Sequence, residues 1–297
     1  MLPTSRSPAV TLPTKRSTAC SSGARPSNTG RSPFGFLLKK PDQEKAAAHA
    51  AAFFYRKMHQ QQLFTIVHED PDLLVINKPA DLVCHPSKDG QLSSLIGRVR
   101  LHLGADARPH LVNRLDRETS GLTLVAKTDT AARELRRIWE QRKVNKEYLA
   151  IVHGHVSEDS NTIDAALGKD ESSRVAIRDC VRTDGAPART DFEVLRRFSR
   201  DGTLFSLLRI QPHTGRKHQI RIHLAHCGHA IVGDKIYGGD EDAYLALVEG
   251  RLSPVQRATL IFQNHALHAQ ALRFEWRGQA REFLCEPERW FTGFLTT

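Results

Sequence analysis

The segment Asn113-Arg114-Leu115-Asp116-Arg117-Glu118-Thr119-Ser120-Gly121-Leu122 sets one carboxylate between two arginines. It then turns through Thr-Ser-Gly into an apolar run, Leu122–Ala126, with the length and composition of a buried strand. A fold built on this segment must hold that strand inside and bring Asp116 to its entrance. Arginines on both sides favour the ionised form of an aspartate. A loop carried by a rigid strand is also where catalytic groups tend to sit. Taken alone, Arg-x-Asp-Arg reads as a salt-bridged surface turn, so the decision falls to the rest of the chain.

The chain has 297 residues, enough for one large domain or two small ones with a sizeable core. Charged residues make up 26% and apolar ones 40%, ordinary proportions for a soluble globular protein. No apolar run approaches the ~20 residues of a membrane span, and no signal-peptide core follows Met1. The net charge of +10 is unevenly placed. Residues 1–40 carry seven basic residues and no acid, which leaves 36 basic against 33 acidic residues elsewhere. That excess suggests a polyanionic partner. Five scattered cysteines without a Cys-x-x-Cys pair fit a reducing compartment, with neither a disulfide framework nor a thiolate zinc site.

Residues 1–41, rich in Ser, Pro, Thr and Arg and lacking hydrophobic period, read as a disordered basic arm. The same composition fits an organellar transit peptide; otherwise the chain reads as cytoplasmic. Residues 42–61, with their Ala-rich run, read as a short helical lead-in, and 62–297 as the catalytic domain. Strands are predicted at Phe64–Val67 and Leu73–Ile76 around the turn Glu69–Asp72, and again at Tyr148–Val152. Others follow at Thr190–Phe198, Leu204–Gln211, Ala271–Trp276 and Glu282–Glu286. Helices are predicted at Leu92–Leu103, closed by Gly104, and from Asp129, as N-cap, to about Arg142. Thr214 is expected to cap a third helix, whose end is marked by Gly228. Strands outnumber helices and often follow one another, the pattern of an α+β fold with a largely antiparallel sheet.

The segment Pro212–His223 is the second notable stretch. No acid occurs from Gly202 to Gly233, yet Arg209, Arg216, Lys217 and Arg221 all lie there. A helix start beside Gly215 offers free N–H groups to an anion, and Arg216, Lys217 and His218 stand next to it. The alternation Ile220, Ile222, Leu224 sends Arg221 and His223 toward the interior. A buried arginine needs a carboxylate, and Asp116 is the candidate. The run His223, His226, His229 invites a zinc reading, but no acid lies within it and its spacing crosses a helix end. No metal site is expected. Tyr148 opens a strand and is read as core by default, or as a proton relay beside an ionised Asp. The chain has no glycine-rich phosphate loop and no Gly-x-Ser-x-Gly elbow.

Taken in order, these segments resemble the pseudouridine synthases of ribosomal and transfer RNA, in the branch with an Arg-Leu-Asp-x-x-Thr-Ser-Gly loop. The resemblance covers Val75-Ile-Asn-Lys-Pro79, the aspartate loop, Lys146-x-Tyr148, Gly215-Arg-x-His-Gln-Ile-Arg221, Gly228-His-x-Ile-x-Gly-Asp234 and Leu267-His268-Ala269. It implies a mixed, mostly antiparallel sheet with flanking helices and a central RNA-binding cleft. It also implies a monomer that isomerises uridine in RNA without a cofactor. By motif position Asp116 is the required nucleophile or base, Tyr148 stacks on or deprotonates the flipped base, and Arg221 pairs with Asp116. Arg114 fills the gap left by the base. Asn113 stands where the family usually has His, so an RNA contact is expected to differ there. The family's frequent small RNA-binding domain finds no counterpart in residues 1–60. The competing reading is a non-catalytic RNA-binding module using the same cleft and arm; a histidine–zinc hydrolase ranks behind it.

Overall fold

The computed structural model describes residues 64–85, 91–104 and 106–296, so the arm at 1–41 and the lead-in at 42–61 lie outside the described residues. The first half holds β1 (Thr65–Glu69), β2 (Leu73–Lys78), α1 (Leu95–Leu103), β3 (His110–Leu111), β4 (Ser120–Ala126) and α2 (Asp129–Glu140). Next come β5 (Val144–His153), β6 (Ser160–Asp164), β7 (Leu167–Lys169), β8 (Asp179–Val181), β9 (Arg189–Arg200) and β10 (Thr203–Pro212). The chain continues with α3 (Gln219–His226), α4 (Glu241–Val248), α5 (Pro254–Thr259), β11 (Leu267–Trp276), β12 (Gln279–Leu284) and α6 (Arg289–Leu295).

One sheet runs in the order β1-β2-β4-β11-β5-β10-β9-β6, with β12 beside β11 and β3 beside β4; β7 and β8 pair separately. The β4–β11 contact is parallel, and the other pairings are antiparallel. This is the α+β, largely antiparallel sheet that the strand pattern implies, with the mixed character that the family resemblance implies. The largely apolar character of β2 and β4 has a direct cause, since both faces are covered. Leu73, Val75, Leu122 and Leu124 pack on Ala131, Ala132 and Leu135 of α2. Leu74, Ile76 and Val125 pack on Leu95 and Val99 of α1. A third cluster joins Ala150, Ile151, Leu208 and Ile210 to Ile220 and Leu224 of α3 and Phe291 of α6.

The parallel crossing fixes the entrance of the aspartate loop. Gly121 sits at φ 113°, and a Cβ there would lie 2.3 Å from the Ala269 carbonyl oxygen. Glycine is therefore what lets β4 and β11 approach where the loop joins the sheet. Several boundaries move from their expected places. The cap of α2 is Thr128, whose hydroxyl accepts from the Ala131 N–H, with Asp129 the first helical residue. Thr214 does not cap α3; that helix begins at Gln219 behind His218. Thr214 instead gives its hydroxyl to Gln219 Oε1 at 2.6 Å and accepts from the Arg189 N–H.

Candidate active site

Arg221 organises the site. It lies on α3, only 5% exposed, and its guanidinium makes three charged hydrogen bonds. Nε donates to Asp234 Oδ2 at 2.6 Å and Nη2 donates to Asp234 Oδ1 at 2.9 Å. Nη1 donates to Asp116 Oδ2 at 2.9 Å. The bidentate pair orients the guanidinium fork, and the remaining arm reaches the aspartate loop. The fork also lies over the Tyr237 ring, 5.1 Å from its centroid. Asp234 is buried and its Oδ1 also accepts from the Ile236 and Tyr237 N–H groups. Burial opposes its charge, but Arg221 outweighs it and holds the carboxyl well below the usual range. The sequence led to Asp116 as the partner of Arg221, whereas the fork takes Asp234 first. The signal was present, because Asp234 is the first acid after the acid-free stretch that ends at Gly233.

Asp116 faces the cleft with its side chain 31% exposed. Burial raises its carboxyl, but Arg221, His218 and His265 together bring it below the ordinary value. Its second oxygen, Oδ1, has no hydrogen-bond partner among the described residues. The site therefore presents an ionised carboxylate with one oxygen tethered and one open.

Two histidines brace this loop. His218, with left-handed backbone at φ 55°, places Nε2 3.8 Å from Asp116 Oδ2, and its Nδ1 bonds the Tyr237 hydroxyl at 2.9 Å. Burial, with Arg221 nearby, lowers it to about 4. His265 is buried, and its Nε2 meets the Thr119 hydroxyl at 2.7 Å. Burial and Arg221 lower it to about 3. Both rings are neutral at pH 7, so Arg221 supplies the positive charge beside Asp116. Lys78 closes the loop from beneath. Its buried ammonium donates to the carbonyls of Pro79, Leu82 and Arg117 at 2.8–3.0 Å. His265, Asp234 and Lys78 were not picked out as site residues from the sequence, because their link to the aspartate loop, through Thr119, Arg221 and the Arg117 carbonyl, exists only in the folded chain.

The other expected site residues divide. Tyr148 opens onto the third core cluster and lies close enough to Asp116 to feel its charge. Burial and that charge raise its phenol above the ordinary value. The Asn113 amide is engaged by β4, donating to the Leu122 carbonyl at 3.2 Å and accepting from the Leu124 N–H at 2.8 Å. Arg114 is exposed and has no ion-pair or hydrogen-bond partner among the described residues. Arg216 and Lys217 turn to neighbouring segments, to the Pro187 carbonyl before β9 and to Asp179 of β8 at 2.8 Å. The expected anion site at the start of α3 is occupied too, since the Arg216 N–H is taken by Gln219 Oε1 at 3.0 Å. Nor does the histidine run form a metal cluster. Both His223 nitrogens are engaged, by Thr190 Oγ1 and the Ala165 carbonyl, and His229 bonds the His153 carbonyl.

Asp116, His218, Arg221, Lys235 and His265 line an open cleft of about 770 Å³. Residues of α4, and of the segment after α5, line the same cleft.

A family model described as RNA pseudouridylate synthase matches residues 72–226, just over half of the chain. An uncharacterized RNA pseudouridine synthase of Chlorobaculum parvum is 40% identical over 221 residues, covering 71% of this chain and 66% of that protein. The chain thus spans just under two thirds of that relative's length. Ribosomal large subunit pseudouridine synthase D of Escherichia coli O157:H7 is 35% identical over 248 residues, covering 80% of this chain and 73% of that one. The solved structure of human RNA Pseudouridylate Synthase Domain Containing 1 superposes with a TM-score of 0.60 at 30% identity, covering 76% of this chain and 84% of that chain. The chain belongs to the RNA pseudouridylate synthase family.

Proposed function

We propose that this protein isomerises uridine in RNA to pseudouridine, with Asp116 as the catalytic carboxylate and large-subunit ribosomal RNA as substrate. The observation that carries the reading is the Asp116 carboxylate itself, tethered by Arg221 on one oxygen and open to the cleft on the other. The choice of ribosomal RNA follows the name of the Escherichia coli relative. The reaction breaks the N1–C1′ bond, turns the uracil and joins C5 to C1′. N1 ends protonated and the C5 proton is lost, so no electrons enter or leave and no cofactor is required.

Breaking the glycosidic bond builds positive charge on the sugar, which a fixed carboxylate stabilises. Asp116 serves as nucleophile at the sugar or the base, or as the acceptor of a sugar proton. Each role needs the ionised form, which Arg221 maintains at neutral pH. A stacked uridine cannot reach a carboxylate inside a cleft, so the base must be flipped, at roughly a few kcal/mol. Tyr148 takes the stacking role, because a phenol held protonated is a poor base. Arg114, exposed and without a partner among the described residues, fills the gap that the flipped base leaves in the RNA. The reading assigns the reaction to the cytoplasm, or to an organelle where residues 1–40 act as a transit peptide.

Purified protein and an unmodified large-subunit ribosomal RNA transcript test this directly. Wild-type protein forms pseudouridine; Asp116→Asn forms none while its circular dichroism is unchanged. An active Asp116→Asn protein overturns the reading. Salt-dependent RNA binding indifferent to Asp116, with no modified uridine, replaces it with the non-catalytic module.

A further inference from the structure

The lining of the cleft that holds Asp116 also includes a group of apolar side chains. Tyr244, Leu247 and Val248 stand at helical spacing on α4, and all three line the cleft, as does Ile261. Val248 is 66% exposed and Ile261 is 42% exposed, while most large apolar side chains of the described residues are covered. Ile261 also has φ 63°, left-handed backbone that a β-branched residue rarely adopts. Such conformations cluster at ligand clamps. In the same lining Arg257 has no partner for its guanidinium among the described residues. Pockets of about 300–1,000 Å³ enclose drug-sized ligands, so a cleft of about 770 Å³ exceeds what one uracil needs.

We infer that this wall is a second nucleotide subsite: Tyr244, Val248 and Ile261 hold the base next to the target uridine, and Arg257 holds its phosphate. The inference rests on the RNA-isomerase reading and deepens it. The wall opens into the same cleft as Asp116, so its occupant is contiguous with the reacting nucleotide. An aromatic and aliphatic surface takes any base by its π-face, without reading its edge. The unpaired guanidinium supplies the complementary charge for a phosphate. The substrate is therefore a uridine in a loop, with at least one neighbour already unstacked; a uridine within continuous duplex fits poorly.

The test uses synthetic hairpins taken from the stem–loop that the wild-type protein modifies, with an abasic sugar on the 5′ or the 3′ side of the target uridine. One abasic hairpin is expected to raise the wild-type KM roughly five- to hundredfold, the scale of one base–aromatic stack. Tyr244→Ala raises KM on the intact hairpin by a similar factor and is then indifferent to that abasic site. Tyr244→Phe restores wild-type behaviour. Val248→Asp, at an exposed position that folding does not depend on, raises KM in the same way. Arg257→Gln lowers the salt slope of binding by about one. Losses that add to the abasic loss, or Tyr244→Ala and Val248→Asp proteins with the wild-type KM, overturn the subsite and leave the isomerase intact. Wild-type protein that modifies no uridine removes both.

Discussion

Replacing Asp234 with Asn tests the frame of the site without touching the cleft. The variant keeps the volume and can still accept from the Ile236 and Tyr237 N–H groups. It removes the charge facing Arg221, and its new NH2, at the Oδ2 position, points at Nε–H, donor against donor. Removing one partner of a buried ion pair costs about 3–5 kcal/mol. Here Asp116 and the Tyr237 ring remain as partial compensation, so the lower end, about 3 kcal/mol, is expected. For a domain of this size that lowers Tm by about 6–12 °C. Urea unfolding followed by the fluorescence of Trp139, Trp276 and Trp290 measures it. Activity falls further than stability. Released from Asp234, Arg221 reorients on Asp116 and shifts its open oxygen, and a misplacement of about 1 Å costs about a hundredfold in kcat. A loss below about 1 kcal/mol, or an unchanged kcat at a temperature where the variant is folded, refutes the reasoning.

The same pair has a signature in pH. Asp234 titrates lower in the folded chain than in the unfolded one, where aspartate titrates near about 3.9. The unfolded state thus binds more protons as acid is added, and stability falls as pH drops. The contribution is complete above about pH 4 and is lost below it. The stability difference between wild type and Asp234→Asn should therefore narrow only under acid conditions.

Lys78→Met keeps the apolar stem and leaves the carbonyls of Pro79, Leu82 and Arg117 without their shared donor. At about 1–3 kcal/mol for a buried group left unsatisfied, thermal unfolding should detect it, and pseudouridine formation should drop as the Arg117 end of the loop loosens. The buried His268, bonded to Ser120 and the Cys285 carbonyl, is lowered by burial from 6.5 to about 4. Stability should thus fall as pH drops from 6.5 toward 4, and His268→Gln should flatten that limb of a urea-midpoint profile. Deleting residues 1–40 removes seven cations and should reduce the salt slope of RNA binding by roughly one unit per lost phosphate contact; an unchanged slope makes the arm a spacer or a targeting segment.

The parts of the fold that were legible in the sequence are those written locally. Leu73–Ile76 is a continuous apolar run, and Leu122–Ala126 one broken only by Thr123, because helices cover both faces of their strands, and such a run is visible without knowing what covers it. The short helices α4 and α5 were missed for the opposite reason. They stand at the rim, where Tyr244 and Val248 face a cleft instead of a core, so their apolar residues lack the long period that marks a packed helix.

The site divides along the same line. Asp116 could be found because its own neighbours make it unusual, and Arg221 because its alternation with Ile220 and Ile222 places a cation among apolar residues. Their contact across 105 positions could only be guessed as charge balance. That balance was incomplete, since a guanidinium with five N–H donors can serve two carboxylates at once. Asp234 takes two of these donors and is wholly enclosed, so its role is to aim. Asp116 takes one and stays partly exposed, so one of its oxygens is left open to the cleft. The asymmetry between two similar carboxylates comes from burial and hydrogen-bond count, quantities that exist only once β4, α3 and the turn after Gly233 have been brought together.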